Sequence, residues 1–260
     1  MLAVAPVIIV LDNWRGPGYK VRMPLSFQGR SVGDITVVKC DGRIIEGAES
    51  AALRQHMNDL LPNAPWIVLH LGGIDFIDSS GLGLLVRILT RTGQGNLKLC
   101  AVSARIADML RITRLATVFD SYESEADAIA AFYDSAKRPD KSLPFLPANI
   151  LCVEKSVDLL NYIGELLRQA GFRVITVDNL PDALILLKAT RPKLVVVGAE
   201  LRAAKDTWTA ERFNELVDAL PVIELPADFG THDPSETGQQ LLERVRIIIG
   251  AADKSANAAQ

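Results

Sequence analysis

Ile74-Asp75-Phe76-Ile77-Asp78-Ser79-Ser80-Gly81-Leu82-Gly83 closes one apolar run and opens another, with a polar turn between them. The run before it, Trp66-Ile67-Val68-Leu69-His70-Leu71, reads as a continuous strand, and the run after it sets Leu82, Leu85, Val86 and Leu89 at helical spacing. A strand that passes through a polar turn straight into a helix belongs to an α/β fold. Asp78, Ser79 and Ser80 are all helix-capping types, so one of them satisfies free N–H groups of the first turn. The same geometry suits a second use. A phosphate on a serine at a helix N-terminus meets those N–H groups and the positive end of the helix dipole. Glycines at 81 and 83 remove side chains around the hydroxyl and let another protein's active site approach.

Working outward, Ser26-Phe27 and Ile35-Thr36-Val37-Val38 read as short strands, and Asp41-Gly42 as a bend. A helix from about Ser50 to Leu61 carries Leu53, Met57, Leu60 and Leu61 on one face and stops at Pro62. Downstream come a strand over Leu97 to Val102, a helix across Ile106, Met109 and Leu110, and a last strand and helix between Phe119 and Tyr133. This order predicts a mixed sheet with helices packed on it, over residues 23–134. Pro139, Pro144 and Pro147 interrupt an aperiodic stretch, so 135–148 is expected to be a linker.

The second half, 149–250, restarts with strand Ile150 to Val153 and a helix from Val157 to Gln169 that Gly171 ends. Strand Arg173 to Val177, helix Pro181 to Ala189, strand Leu194 to Val197 and strand Val222 to Leu225 follow, which predicts a doubly wound parallel sheet. Residues 251–260 are small and polar and are expected to form a disordered tail. Residues 1–22 are expected to be either a flexible arm or an extension upstream of a start at Met23.

Composition narrows the function. The 260 residues are 49% hydrophobic and 23% charged, which suits two folded α/β cores. A net charge of -3 supplies no basic surface to drive nucleic-acid binding, so protein partners are expected. Cys40, Cys100 and Cys152 sit in apolar runs without paired spacing, as reduced buried thiols of a cytoplasmic protein do. The apolar run from Leu2 to Leu11 is too short to span a bilayer and lacks the flanks of an export signal, so no membrane association is expected. His56, His70 and His232 are scattered and form neither a metal-ligand spacing nor a triad, so no metal, cofactor or enzymatic activity is expected. Arg87, Arg91, Lys98, Arg105, Arg111 and Arg114 make the stretch after the motif basic, either as a solvated helix face or as a surface for an acidic partner.

Asp78-Ser79-Ser80-Gly81-Leu82-Gly83 resembles the phosphorylation motif of anti-sigma-factor antagonists, the STAS family. Gly42-Arg43-Ile44-Ile45 precedes it, and Leu110-Arg111-Ile112-Thr113-Arg114-Leu115 with Val118-Phe119 follows, so the resemblance covers about Pro24 to Tyr133. It implies a STAS-type mixed sheet with Ser79 as phosphoacceptor and Ser80 as the fallback. It further implies a partner surface of Asp75, Asp78, Ser80, Gly81, Leu82 and Gly83 with Arg43 and Glu46. The implied partners are an anti-sigma factor that is itself an ATP-dependent serine kinase, and a serine phosphatase. Unmodified protein would capture the anti-sigma factor and phosphorylation would end the capture. The best-known branch carries an acidic residue just after the glycine bend, where this chain has Ile44-Ile45 before Glu46. Glu46 is the candidate substitute, and the departure leaves the downstream sigma factor unspecified. A scaffold subunit of a multi-protein signalling complex, with the serine serving only as a helix cap, is the rival reading. A nucleotide- or lipid-associated accessory subunit is a third.

The second half resembles a response-regulator receiver domain over about Asn149 to Gly250, on Ile150-Leu151-Cys152-Val153-Glu154, Gly171-Phe172-Arg173-Val174 and Pro192-Lys193-Leu194-Val195-Val196-Val197. The positions that would carry its chemistry are changed. Gly198 stands where the phosphoacceptor aspartate would be, Lys155 where the second acidic residue would be, and Pro226 where the switch threonine would be. Clustered carboxylates that hold Mg²⁺ are thus incomplete, and a docking or self-association module without aspartyl phosphorylation is expected.

Overall fold

The computed structural model describes residues 24–93, 95–133, 150–204, 207–231 and 234–258. The extension expected over 1–22 and the linker expected over 135–148 lie outside these residues. The chain divides into two compact units, one ending at Ser142 and the other starting at Leu143.

In the first unit, β1 (Ser26–Val32) and β2 (Ile35–Ile44) form an antiparallel hairpin. Then come α1 (Ala48–Leu60), β3 (Trp66–Ile77), α2 (Ser79–Thr92), β4 (Leu97–Cys100), α3 (Ala104–Ile112), β5 (Asp120–Tyr122) and α4 (Glu125–Tyr133). The five-stranded sheet is ordered β1-β2-β3-β4-β5, parallel everywhere except in the first pair. Each parallel neighbour is reached through a helix, because a parallel pair needs a crossover. Leu53 and Met57 of α1, Leu85 and Ile88 of α2, and Ile106 and Leu110 of α3 pack with Val38, Cys40, Leu69 and Leu99 in one core. On the opposite face, α4 covers β3 and β4 with Ala128, Ile129 and Phe132.

Two features of this sheet differ from the sequence reading. Asp41-Gly42 is no bend: it lies within β2, where Gly42 adopts φ 102 and the pairing with β3 slips. Strand β3 likewise runs on past Leu71 to Ile77. The slips against β2 set extra β3 residues into the ladder, so the buried positions after Leu69 and Leu71 are Ile74 and Ile77, three apart rather than two. A bulged strand loses the alternation by which it would be recognised. Lys98 is the second correction. Grouped above with solvated basic residues, it is only 2% exposed under α4, where its Nζ lies 3.2 Å from Asp120 Oδ2 and 4.7 Å from the centre of the Phe132 ring. The stem packs among apolar groups while the head reaches a carboxylate at the sheet edge.

The second unit comprises β6 (Ile150–Val153), α5 (Val157–Gln169), β7 (Val174–Val177), α6 (Leu180–Thr190), β8 (Leu194–Gly198), α7 (Ala199–Ala203), α8 (Trp208–Val217), β9 (Val222–Leu225) and α9 (Pro234–Ala258). Its parallel sheet is ordered β7-β6-β8-β9. Cys152, Val196 and Ile223 face α5 and α9, through Ile163, Leu241 and Val245. The alternate residues, Leu151, Val153, Val195 and Val197, are equally buried and point the other way, where α6 packs on β6 and on α8. Helices on both faces of an open parallel sheet make it doubly wound.

Helix α8 carries its buried side on only Ala210, Phe213 and Val217, a stripe too sparse to stand out in sequence. Its N-terminus is fixed by Thr207, whose Oγ1 accepts the Ala210 N–H at 3.2 Å. Helix α9 continues past Gly250 to Ala258, through the residues expected to form a disordered tail. Ala251, Ala252, Lys254, Ala256 and Ala258 are strong helix formers, and their smallness is what made the stretch read as a tail. Phe213 is fully buried while Trp208, one turn earlier, is 72% exposed. Phe213→Ala is therefore expected to destabilise the second unit by about 3–5 kcal/mol. Trp208→Ala is expected to change it by less than about 0.5 kcal/mol. Urea unfolding of the two variants, followed through the amide resonances of β6 and β8, measures both.

Candidate functional site

The β3–α2 junction is built around one carboxylate. Asp78 is the N-cap of α2, and its Oδ1 accepts the Gly81 N–H at 2.7 Å. Its Oδ2 accepts the Glu46 N–H at 3.0 Å, which ties the loop after β2 to the start of α2. The Asp78 N–H in turn donates to the Ile44 carbonyl at 3.2 Å. The bond from Gly81, with further ones from Glu46 and Ser80, holds the Asp78 carboxyl below the usual range, so it is a carboxylate near neutral pH.

Ser79 follows as the first residue of the helix and is exposed. Asp78 already takes the Gly81 N–H, so the hydroxyl of Ser79 neighbours an ionised carboxylate. Ser80 is exposed too, and its Oγ donates to Glu46 Oε2 at 3.4 Å. Arg43, Glu46, Asp78, Ser79 and Ser80 are thus brought together, and Asp75 is exposed on β3 three residues earlier.

The two motif glycines have different reasons. A Cβ on Gly81 would collide with the Ile44 carbonyl oxygen and stand 2.8 Å from Ile77 Cγ2, both parts of the β2 and β3 ends against which the first turn packs. Gly81 is buried, and Leu82 is half-buried against the core. Both were expected on the partner surface; Gly81 faces the sheet, and Leu82 is only partly covered by it. Gly83 is exposed, with nothing within 4 Å of a Cβ placed there.

Sequence reasoning missed Phe76 as part of this neighbourhood. Its ring lies 4.8 Å from the Arg43 guanidinium and 5.5 Å from that of Arg105, so α3 also reaches the site. Only the fold brings positions 43, 76 and 105 together, and no local pattern announces it. Of the other basic residues, Arg91 donates to Asn58 Oδ1 and Arg111 pairs with Asp108 at 2.8 Å. His70 is half-buried and its Nδ1 accepts the Gly72 N–H at 3.3 Å; His232 lies outside the described residues.

The family model of the STAS domain matches residues 27–128. This segment is a STAS domain. A curated relative, Protein Rrf1 of Nitratidesulfovibrio vulgaris, is 36% identical over 56 residues, which is 22% of this chain and 41% of that protein. The chain thus spans less than half the length of the curated relative it matches. Among solved structures, an anti-sigma factor antagonist from Mycobacterium paratuberculosis is similar at 23% identity and TM-score 0.39, covering 42% of this chain and 95% of its own. The phosphorylated form of the Bacillus cell fate determinant SpoIIAA is similar at 19% identity and TM-score 0.34, covering 40% and 96%.

In the second unit, Glu154 follows β6 directly and Gly198 ends β8, its neighbour in the sheet. A Cβ on Gly198 would collide with the Glu154 carboxylate, whose Oε1 accepts the Ser156 N–H at 2.9 Å. Lys155 Nζ lies 3.7 Å from Glu200 Oε2, and Pro226 comes directly after β9. Among the described residues no three His, Cys, Asp or Glu side chains are grouped to hold a metal ion, and no helix is long and apolar enough to cross a membrane. Burial pushes the thiols of Cys40, Cys100 and Cys152 up to about 12, which leaves them neutral and unreactive near pH 7.

The contrast between the glycines is measurable. Gly81→Ala forces α2 off the sheet and is expected to destabilise the STAS domain by more than about 2 kcal/mol, as overpacking against backbone does. Gly83→Ala is expected to be neutral or stabilising by up to about 1 kcal/mol. Urea melts followed by Trp66 fluorescence, in a Trp14→Phe/Trp208→Phe background, compare the two.

Asp78→Ala removes the cap and is expected to cost about 1 kcal/mol at pH 7. The folded pKa of Asp78 lies below its unfolded value near 3.9, so the cap's contribution is complete above about pH 4 and fades as acid carries the group through its lower folded pKa. The gap between the Asp78→Ala variant and the parent should therefore close below about pH 4 in the same melts.

Proposed function

We propose that this chain is an anti-sigma-factor antagonist and not an enzyme: its STAS domain captures an anti-sigma factor while Ser79 is unmodified and releases it once Ser79 is phosphorylated. The observation that carries this reading is the exposure of Ser79 at the mouth of α2, within the matched STAS domain and next to an ionised Asp78. The partner acts as the kinase. Transfer of the γ-phosphoryl group of ATP to Ser79 Oγ forms the new P–O bond, breaks the β,γ bridge, and releases ADP and the hydroxyl proton. A serine phosphatase reverses the modification by hydrolysis.

The switch is electrostatic. A phosphoserine adds roughly -1.5 to -2 charges. It does so beside Asp78, with Asp75 and Glu46 also exposed nearby on the surface that the partner would cover. Desolvating that excess of negative charge on docking costs on the order of 3 kcal/mol, which weakens binding about a hundredfold. The second unit serves this reading as a receiver-like docking or self-association module. Support comes from its strand order and from the placement of Glu154, Lys155, Gly198 and Pro226 at the strand ends, where a carboxylate cluster would otherwise sit.

Full-length Ser79→Ala used as bait should capture a protein that phosphorylates the parent chain on Ser79 with ATP. Ser79→Asp should bind that protein about a hundredfold more weakly by calorimetry. Equal affinity of the two variants, or phosphate found on neither Ser79 nor Ser80 by peptide mapping, would falsify the switch. A large assembly by size-exclusion mass measurement, unaffected by either variant, would favour the scaffold reading instead.

A further inference from the structure

Beside the phosphoacceptor turn, α1 and α2 enclose a cleft of about 470 Å³ lined by Glu46, Ser50, Arg54, Ser80, Gly83 and Arg87, among others. Arg54 and Arg87 are both exposed, and neither guanidinium has a hydrogen-bond or ion-pair partner among the described residues. Elsewhere in this domain arginines do find partners, as Arg30 does with Glu125 and Arg111 with Asp108. Two like charges around one cleft repel each other unless an anion lies between them.

The spacing follows from the helices. Arg87 lies seven residues beyond Ser80, two turns along the same face of α2. Arg54 belongs to α1, one turn beyond Ser50. Ser50 donates its hydroxyl to the Ile45 carbonyl, so it is already engaged. Glu46 is the one carboxylate among the lining residues; it is exposed and bonded to Ser80 by a 3.4 Å contact, so it can turn outward at little cost. The missing side chain at Gly83 leaves open space on the wall between Ser80 and Arg87.

We propose that this cleft binds a phosphate dianion between Arg54 and Arg87, supplied either by phosphorylation of Ser80 or by a phosphorylated small molecule. Guanidinium forks match phosphate oxygens in pairs, and two of them neutralise a dianion. Ser79 does not line the cleft, so a phosphate there is left outside the arginine pair. The two adjacent serines thus differ in kind. Modification at 79 adds charge to the carboxylate side, whereas modification at 80 places its phosphate against the arginines and clamps α1 to α2. The step at Ser80 has the same balance as that at Ser79: ATP donates the phosphoryl group, ADP leaves, and the hydroxyl proton is released. The proposal rests on the cleft alone and stands whether or not Ser79 controls a partner.

The test uses the full chain with nitrogen-15-labelled arginine, observing the Nε–H resonances of Arg54 and Arg87, each assigned by its Gln variant. In one arm phosphoserine is installed genetically at 80 and, separately, at 79. In the other, inorganic phosphate is titrated into unmodified protein at constant ionic strength. If Ser80 is the source, both resonances shift in the phosphoserine-80 protein and not in the phosphoserine-79 protein. The second phosphate pKa read by phosphorus NMR then falls by about one unit, a tenfold preference for the dianion. Arg54→Gln/Arg87→Gln should abolish that fall. If a small molecule is the source, the resonances shift saturably with inorganic phosphate. Resonances that stay put in both arms overturn the proposal. Both arginines are exposed and have no partner among the described residues, so the double variant is expected to keep its fold, and the parent's own resonances decide the matter even if it does not.

Discussion

The hydrogen bonds of the Asp78 carboxylate are the constraint on which the site depends. One oxygen closes the first turn of α2 through Gly81, and the other holds the loop after β2 through Glu46. The backbone of the same residue bonds the end of β2 at Ile44. The first turn of α2, the loop after β2 and the end of β2 are thereby held by one residue. Because Gly81 has no side chain, α2 can settle against the Ile44 carbonyl, and this close approach decides which way the remaining residues of the turn look. With Gly81 inward, Ser79 must face out, since two residues are roughly 200° apart around a helix.

Charge is distributed around that turn in sectors. Asp75, Asp78 and Glu46 give the strand end and loop a negative character, while Arg43 and Arg105 flank the Phe76 ring and Arg54 and Arg87 line the cleft between α1 and α2. A rotation of roughly 100°, one residue along the helix, carries a side chain from the first sector into the last. Ser80 therefore borders the cleft, with its hydroxyl on Glu46, while Ser79 does not line it. The local sequence gives them the same chemistry, and the helices beside them set them apart.

The second unit uses the same parallel-sheet construction without the same junction. Where β8 ends at Gly198, the carboxylate of Glu154 fills the space a side chain would need, and Lys155 is paired with Glu200. Arg202 joins three elements there: it bonds Glu224 beside the strand end at 3.0 Å, Asn214 of α8 at 2.6 Å, and Asp218. The Asp218 and Glu224 carboxylates raise its pKa, so the link is a permanent charge. These contacts hold the short α7 against its neighbours and make the strand-end surface a set of internally matched ion pairs.

The order of most strands and helices and the strand-turn-helix character of the Asp78–Gly83 stretch were legible in the amino-acid order, because hydrophobic period, proline and capping residues are local properties. That order also brought out Asp78, Ser79, Ser80 and Glu46 as candidates, since they crowd into or beside one motif. Bulged β3 beyond Leu71, sparse α8 and the continuation of α9 escaped it, each because a register slip, a thin apolar stripe or small residues blurred the period. Tertiary packing alone buries Lys98, sets Gly81 against the sheet while Gly83 stays open, and brings Arg54 and Arg87 to one cleft. Those outcomes depend on which helix lies against which strand, and contacts between residues far apart in the chain leave no periodic trace in the order of the amino acids.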